Sequence, residues 1–145
     1  MIRGTMVIIL LILNSFTVSD GVGPVVIEKV ELKAVSRPTE ALVLKALRKE
    51  GVKHPRIVLA QSKLETGRYR SKVCLLHKNL FGFRTKKGYI KFRRWQESVT
   101  YYKKWQDRHY NHKEYHNYYE FLEDVGYAED SLYITKVKSI ANERS

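Results

Sequence analysis

The chain of 145 residues contains a single cysteine, Cys74, so no disulfide can form within it. Its stability must therefore come from packing alone. Cys74 is flanked by Val73 and Leu75, which favours its interpretation as a small buried hydrophobe. A catalytic cysteine would need a base, and the near candidate is His77. We interpret Cys74 as a structural residue.

The chain also lacks an apolar run long enough to cross a bilayer as an ordinary helix. Residues 7–13 are uninterrupted aliphatic, follow the basic residue Arg3 and precede small residues such as Ser19. This pattern is typical of a secretory signal peptide over residues 1–19. We therefore expect export to the periplasm, the cell envelope or the extracellular space, without stable membrane insertion after cleavage. An uncleaved anchor is the alternative.

After the leader, residues 20–35 show no sustained hydrophobic period and begin with Gly21, Gly23 and Pro24, which predicts an N-terminal tether. Residues 36–145 are enough for one catalytic or binding domain with a single core, and too few for two. We expect this domain to be monomeric.

No acidic residue occurs between Glu65 and Glu97. Ten basic residues fall in that interval, and the whole chain carries a formal net charge of +12. Such a surface attracts anionic partners. Basic residues interleaved with aromatic ones are also typical of single-strand nucleic-acid binding. The leader and the absence of the usual nucleic-acid motifs argue against that function, so we expect no nucleic-acid partner.

The segment around Glu65 has the pattern of an amphipathic helix. Pro55 suits its first turn, and Gly67 is the residue at which such helices usually end. Ala60 and Leu64 belong to its core-facing stripe. Glu65 falls in the last turn, where the helix dipole disfavours a carboxylate, and borders the apolar face. Its proton should be held more tightly than in water, as a general acid requires, although a solvated surface glutamate is the alternative.

The remaining pattern predicts a mostly helical α+β protein with one β-hairpin. Helices are expected over residues 39–50, from Gln96, over residues 115–125 and from Asp130 as N-cap. Lys87-Gly88 is predicted as the hairpin turn. After it, side chains alternate between a face with Ile90 and Phe92 and a face with Tyr89, Lys91 and Arg93.

Three histidines, His109, His112 and His116, would share one face of a continuous helix, where imidazoles can bind zinc. Asn111 and the polar residues around it predict a break between helices at this point. We therefore expect no metal site.

Four segments carry a family resemblance: QSKLETGRYRS at residues 61–71, NLFGFR at 79–84, RWQESVTYY at 94–102 and EFLEDVGYAEDSLY at 120–133. In this order and at these spacings they resemble the glucosaminidase family of peptidoglycan hydrolases, glycoside hydrolase family 73, of the autolysin and flagellar-muramidase type. The resemblance spans roughly residues 38–140. It implies a lysozyme-like fold with a small β-hairpin lobe, no cofactor, and cleavage of the β-1,4 bond after N-acetylglucosamine in peptidoglycan glycan strands.

By this resemblance Glu65 is the catalytic acid and Tyr127 lies in the cleft as a further catalytic candidate. Aromatic side chains suit a sugar-binding groove because pyranose C–H faces pack on aromatic planes. The candidate substrate-binding residues are Asn79, Phe81, Gly82, Tyr102 and Tyr133. The motif departs from the family at Ser131, where proline is usual, which affects the start of the last helix more than the chemistry.

A second catalytic group is harder to assign. A two-carboxylate glycosidase needs a partner for its acid, and the family places it in the hairpin, which has no carboxylate here. Glu97 is one candidate, although it is equally suited to a helix start. The substrate's own acetamido group, assisted by Tyr127, is the other. A lytic transglycosylase and a non-catalytic wall-binding module remain alternative functions.

Overall fold

A computed structural model describes residues 37–143, and the predicted signal peptide and tether lie outside them. The described part is mostly helical with one two-stranded antiparallel sheet, which confirms the predicted fold class. Its elements are α1 (Glu40–Lys49), α2 (Pro55–Glu65), α3 (Lys72–His77), β1 (Arg84–Thr85), β2 (Gly88–Tyr89), α4 (Trp95–His109), α5 (Tyr118–Asp124) and α6 (Tyr133–Ala141). Within residues 37–143, no helix is both long and apolar enough to span a membrane.

Helices α1 and α2 pack against each other as a helical hairpin. Thr39 caps α1, its hydroxyl accepting a hydrogen bond from the Leu42 amide at 3.3 Å. The turn follows at Gly51, whose φ of +70° suits glycine. Pro55 then occupies the first turn of α2, where a missing N–H costs nothing. Local sequence thus sets where α2 begins.

The core is built around α4. Val99, Tyr102 and Gln106 of this helix are buried. Val58 of α2 and Phe121 of α5 belong to the same core. A smaller cluster, with Ala60 and Tyr133, joins α2 to α6. Helix α2 is therefore held on one side by α1 and on the other by α6.

Three local predictions were wrong by position, and one helix was missed. Helix α3 was not predicted, and Ser71 caps it by accepting a hydrogen bond from the Cys74 amide. The hairpin turn lies at residues 86–87, one residue before the predicted Lys87-Gly88, although Ile90 and Phe92 are half-buried while Lys91 is exposed, as predicted.

The other two corrections concern helix starts. Helix α5 begins at Tyr118 rather than at residue 115, because Asn117 accepts hydrogen bonds from two first-turn amides. Helix α6 begins at Tyr133 rather than near Asp130. Asp130 instead closes a turn, its side chain accepting from the Leu132 amide and its carbonyl from the Tyr133 amide.

Asn79 fixes the loop that leads into the hairpin. Its fully buried amide nitrogen donates to the carbonyls of Phe83 and Ile90 at 2.9 and 3.0 Å. Its amide oxygen accepts from the backbone N–H groups of Phe81 and Phe83 at 3.3 and 3.1 Å. One side chain thus holds both ends of the hairpin in place.

We expect Asn79→Asp to lower the free energy of unfolding by about 2–4 kcal/mol, because a buried carboxylate would face two carbonyl oxygens. Urea denaturation measures the loss. Asn111→Asp is the matched control, since Asn111 is exposed, and it should change stability by less than about 0.5 kcal/mol. Equal effects of the two substitutions would contradict the anchoring role of Asn79.

Candidate active site

A cavity of about 650 Å³ opens between α2, the hairpin, α4 and the segment after α5. Its wall comprises Glu65, Val73, residues 81–84, Tyr89, Trp105, His109 and residues 125–129. Polar and apolar side chains therefore face the same space. Such a mixture suits a sugar, which presents hydroxyl groups at its rim and C–H groups on its faces.

Glu65 reaches this cavity because α2 ends there. Beyond it, Gly67, Arg68 and Tyr69 all have positive φ angles, between 54° and 65°. Buried Thr66 stabilises the turn, its hydroxyl donating to the Ser62 carbonyl and accepting from the Tyr69 amide. The helix cannot continue through three left-handed residues. The expected position of Glu65 in the last turn is confirmed.

The environment of Glu65 favours its protonated form. Burial raises the pKa of its carboxyl, and a hydrogen bond from the Tyr133 hydroxyl acts in the opposite direction without cancelling that effect. The expected tighter hold on the proton is therefore confirmed, with burial as its main cause. A carboxyl that keeps its proton beside a cavity can act as a general acid.

Gly82 lies directly against the Glu65 carboxyl. A Cβ atom built at Gly82 would be 2.8 Å from Glu65 Oε2, a distance that real Cβ atoms essentially never show. The φ of Gly82, +67°, is also one that other residues adopt at a cost. Glycine at this position thus leaves room for the carboxyl and keeps the adjoining part of the cavity open.

Tyr127 also lines the cavity. Its hydroxyl donates to the Phe81 carbonyl at 3.2 Å, and its ring stacks on Tyr133 with centroids 5.6 Å apart. Burial raises its pKa well above the ordinary value, and the charge of Glu65 adds to the shift. Tyr127 is therefore a neutral hydroxyl whose orientation is fixed.

The other predicted substrate-binding residues divide into two groups. Phe81 and Gly82 line the cavity. Asn79 and Tyr102 are fully buried away from its wall, and their polar atoms bond within the protein. Tyr133 is 6% exposed and its hydroxyl acts on Glu65. These three residues can influence a ligand only through the groups that they hold.

Glu97 lies elsewhere. Its carboxylate accepts a hydrogen bond from the Arg93 amide at 3.0 Å and is 3.5 Å from Arg94 Nε. It lines a shallow pocket with Phe92 and Tyr101, and it does not line the Glu65 cavity. These contacts are those of a helix-start residue.

Sequence reasoning missed several residues of the cavity wall. Arg84 and Tyr89 face each other across the hairpin, with the guanidinium 4.4 Å from the ring centroid. Trp105 stacks on His109. Glu129 is the second carboxylate among the described residues of the wall. Its position inside the segment GYAED was the available signal, because neighbouring Tyr127 was assigned to the cleft.

The three histidines do not share a helix. Helix α4 ends at His109, and the chain turns before α5 begins at Tyr118, so the predicted break is confirmed. Within residues 37–143 no group of three or more histidine, cysteine, aspartate or glutamate side chains is placed to hold a metal ion.

The basic interval extends over the hairpin and the loops around it. Arg68 pairs with Glu143 at 2.5 Å, and Arg94 pairs with Glu97. Lys86, Lys87 and Lys91 are exposed on or beside the hairpin. The hairpin, whose Arg84 and Tyr89 line the cavity, therefore carries exposed positive charge.

The Glucosaminidase family model, described as mannosyl-glycoprotein endo-beta-N-acetylglucosaminidase, matches residues 40–145. The match includes every described helix and strand from α1 to α6 and all the residues of the cavity wall. Comparison with curated proteins gives no match, and comparison with solved structures gives none either.

Proposed function

Since the chain belongs to the Glucosaminidase family and is thus a glycoside hydrolase in general terms, we propose that it cleaves the β-1,4 bond after N-acetylglucosamine in peptidoglycan. Glu65 is the general acid of this proposal. The observation that carries it is the half-buried Glu65 carboxyl with a raised pKa on the wall of a cavity that combines aromatic and polar groups.

In the proposed reaction the Glu65 proton passes to the glycosidic oxygen as the bond from that oxygen to the sugar C1 breaks. The acetamido oxygen of the N-acetylglucosamine attacks C1 from the other side to form an oxazolinium ring, and water later opens that ring and returns a proton to Glu65. We favour this substrate-assisted course because the hairpin has no carboxylate and Glu97 lies outside the cavity. Tyr127, held by Phe81, orients the acetamido group. Glu129 is the competing candidate for a water-activating base.

The positive charge on and beside the hairpin supports an anionic glycan as substrate. Peptidoglycan carries lactyl and peptide carboxylates, whereas a mannosyl glycan of a glycoprotein is neutral. Exposed cations beside the hairpin attract the first of these substrates more strongly. The exposed cations therefore favour peptidoglycan over the glycoprotein substrate named in the family description.

Digestion of purified sacculi, with mass spectrometry of the products, tests the proposal. New reducing N-acetylglucosamine ends support it. Anhydro-muramyl ends would instead identify a lytic transglycosylase, and binding without products would identify a non-catalytic wall-binding module. A high-mannose glycopeptide is the parallel substrate, and its faster cleavage would contradict the assignment of peptidoglycan.

We expect activity on sacculi to fall as salt rises, because screening shortens the reach of the basic surface to about 8 Å at physiological ionic strength. Activity on a neutral chitin-type oligomer should fall less. The measurement is the initial rate on both substrates over a series of salt concentrations. Equal salt sensitivity of the rates on the two substrates would contradict a role of the basic surface in substrate binding.

The site of action follows from the substrate. Peptidoglycan lies outside the cytoplasmic membrane, so the proposed function requires export, for which residues 1–19 are the proposed signal peptide. N-terminal sequencing of the exported protein should begin near Asp20. Recovery of the full-length chain in membranes would instead indicate an anchor.

A further inference from the structure

A series of hydrogen bonds between buried polar side chains leads from the backbone of Lys53 to Tyr133, whose hydroxyl acts on Glu65. Its members come from four helices and are, in order, Gln106 of α4, Tyr118 of α5, Tyr102 of α4, Gln61 of α2 and Tyr133 of α6. None is more than 6% exposed to solvent. Their hydrogen bonds are therefore made with one another, and each donor needs an acceptor inside the protein.

The direction of the chain is fixed at Gln106. Its Oε1 accepts from the Lys53 N–H at 2.7 Å, and its Nε2 donates to the Lys53 carbonyl at 3.0 Å. A flipped amide would place like groups against each other at both contacts, so its orientation is determined. The second Nε2 hydrogen is then directed to the Tyr118 hydroxyl, 2.8 Å away, which must accept.

The orientation of the Gln106 amide also determines which group donates in each later hydrogen bond. The hydrogen-bond partners of the buried Tyr118 hydroxyl are Gln106, from which it accepts, and the Tyr102 hydroxyl at 2.7 Å, so its proton finds an acceptor when it is donated to Tyr102. Tyr102 in turn donates to Gln61 Oε1 at 2.7 Å. This requirement fixes the Gln61 amide, whose Nε2 donates to the Tyr133 hydroxyl at 3.1 Å.

Tyr133 therefore accepts from Gln61 and has its proton free for Glu65. Glu65 follows Gln61 by about one turn on α2, so the two side chains lie on the same side of that helix. The hydrogen bond from Tyr133 lowers the pKa of Glu65. Hydrogen bonds in a row polarise one another, so each upstream donor strengthens the last one.

We propose that Gln61, Tyr102, Tyr118 and Gln106 are positioning residues that hold the Tyr133 hydroxyl as a donor to Glu65. The proposal rests on the proposed role of Glu65 as general acid. When Glu65 gives its proton to the leaving oxygen, the carboxylate that remains receives a hydrogen bond whose direction is set at the far side of the core. Tyr102 and Tyr133, predicted to bind substrate, act through Glu65 instead.

Other titratable groups near Glu65 do not set the direction of the hydrogen bond from Tyr133. The titratable or charged residues that share its cavity are Arg84, Tyr89, His109, Tyr127 and Glu129. None of them belongs to the chain of hydrogen bonds. Substitutions within the chain leave all of them in place, so a change in the titration of Glu65 reports on the chain.

The test compares Tyr133→Phe, Tyr118→Phe and the double variant in the full-length protein. Each substitution removes one oxygen and keeps the ring. Carbon-13 NMR of glutamate-labelled protein follows the titration of Glu65, whose signal is assigned by its loss in Glu65→Gln. The pH profile of kcat on sacculi is the second measurement. Tyr110→Phe is the control, because the Tyr110 hydroxyl bonds to His54 outside the chain.

We expect both single variants to titrate Glu65 at higher pH and to move the alkaline limb of kcat upward, since a weaker donor stabilises the carboxylate less. kcat should fall roughly tenfold in Tyr133→Phe and roughly two- to threefold in Tyr118→Phe. The double variant should titrate like Tyr133→Phe, because the upstream bonds act only through that hydroxyl. Tyr110→Phe should leave both profiles unchanged.

An unchanged Glu65 titration in folded Tyr118→Phe overturns the proposal, as does a shift in the double variant that equals the sum of the single shifts. Tyr102→Phe interrupts the same series of hydrogen bonds one step nearer to Glu65. It replaces Tyr118→Phe in the test if Tyr118→Phe yields no folded protein. If the titrations shift as expected but Glu65→Gln still hydrolyses sacculi, the role of the hydrogen-bonded residues in positioning Tyr133 is supported, and the proposed role of Glu65 as general acid is contradicted.

Discussion

Glu65→Gln is expected to lower kcat/KM on sacculi by about 10³-fold or more, because an amide cannot give a proton to the leaving oxygen. The substitution preserves the size of the side chain and its place beside Gly82. Binding of substrate should therefore survive, and a sedimentation assay with sacculi can show it. Loss of hydrolysis with retained binding distinguishes a chemical role for Glu65 from a structural one.

The same substitution should stabilise the fold at neutral pH. Because burial raises the pKa of Glu65, the folded protein holds this proton more tightly than the unfolded chain does. Folding stability then falls as pH rises through the folded pKa, and glutamine removes that loss. The melting temperature of Glu65→Gln should exceed that of the parent at pH 7, and the difference should shrink toward pH 4.

Two other carboxylates, Glu97 and Glu129, are the comparisons for Glu65→Gln. Glu97→Gln should retain turnover, because Glu97 contacts Arg93 and Arg94 outside the cavity, and should cost about 1 kcal/mol of stability. Glu129→Gln should also retain turnover under the substrate-assisted course. A folded Glu129→Gln as inactive as Glu65→Gln would identify Glu129 as the base and overturn that course. The same result for Glu97→Gln would assign the second catalytic role to Glu97.

The sequence predicted those features that depend on neighbouring residues. Pro55 and Gly67 bracket α2, and apolar spacing identified Ala60 on its buried face, because caps, turns and helical periodicity are local effects. The position of Glu65 in the last turn followed from the same signals. The family resemblance identified the motifs around the cavity, and the family model confirmed it.

The sequence did not distinguish the motif residues that reach the cavity from those that lie in the core behind it. Tyr102 and Tyr127 are both tyrosines of conspicuous motifs, yet Tyr102 is fully buried in the core and Tyr127 lines the cavity. Their difference depends on how α4 and the segment after α5 pack, which is a property of distant contacts. The hydrogen-bond chain to Glu65 was beyond prediction for the same reason, since it joins residues from four helices.

Gly82 offers the sharpest geometric test of the site. Alanine at this position would place its Cβ 2.8 Å from Glu65 Oε2, so either the carboxyl or the loop must move. A displacement of about 1 Å at a catalytic group can lower the rate about 10²-fold. We therefore expect Gly82→Ala to reduce kcat about 10²-fold, as measured on sacculi.

Backbone strain alone does not give this result, and Gly51→Ala is the control that shows it. Gly51 has nearly the same φ, +70° against +67° for Gly82, and its added Cβ would meet only Lys103 Cε at an ordinary 3.7 Å. Both variants should lose about 1–2 kcal/mol of stability in urea denaturation, the cost of a left-handed alanine. Only Gly82→Ala should lose activity, because only there does the new methyl group displace the general acid. If the two variants stay folded and hydrolyse sacculi equally well, the close approach of Gly82 has no catalytic consequence.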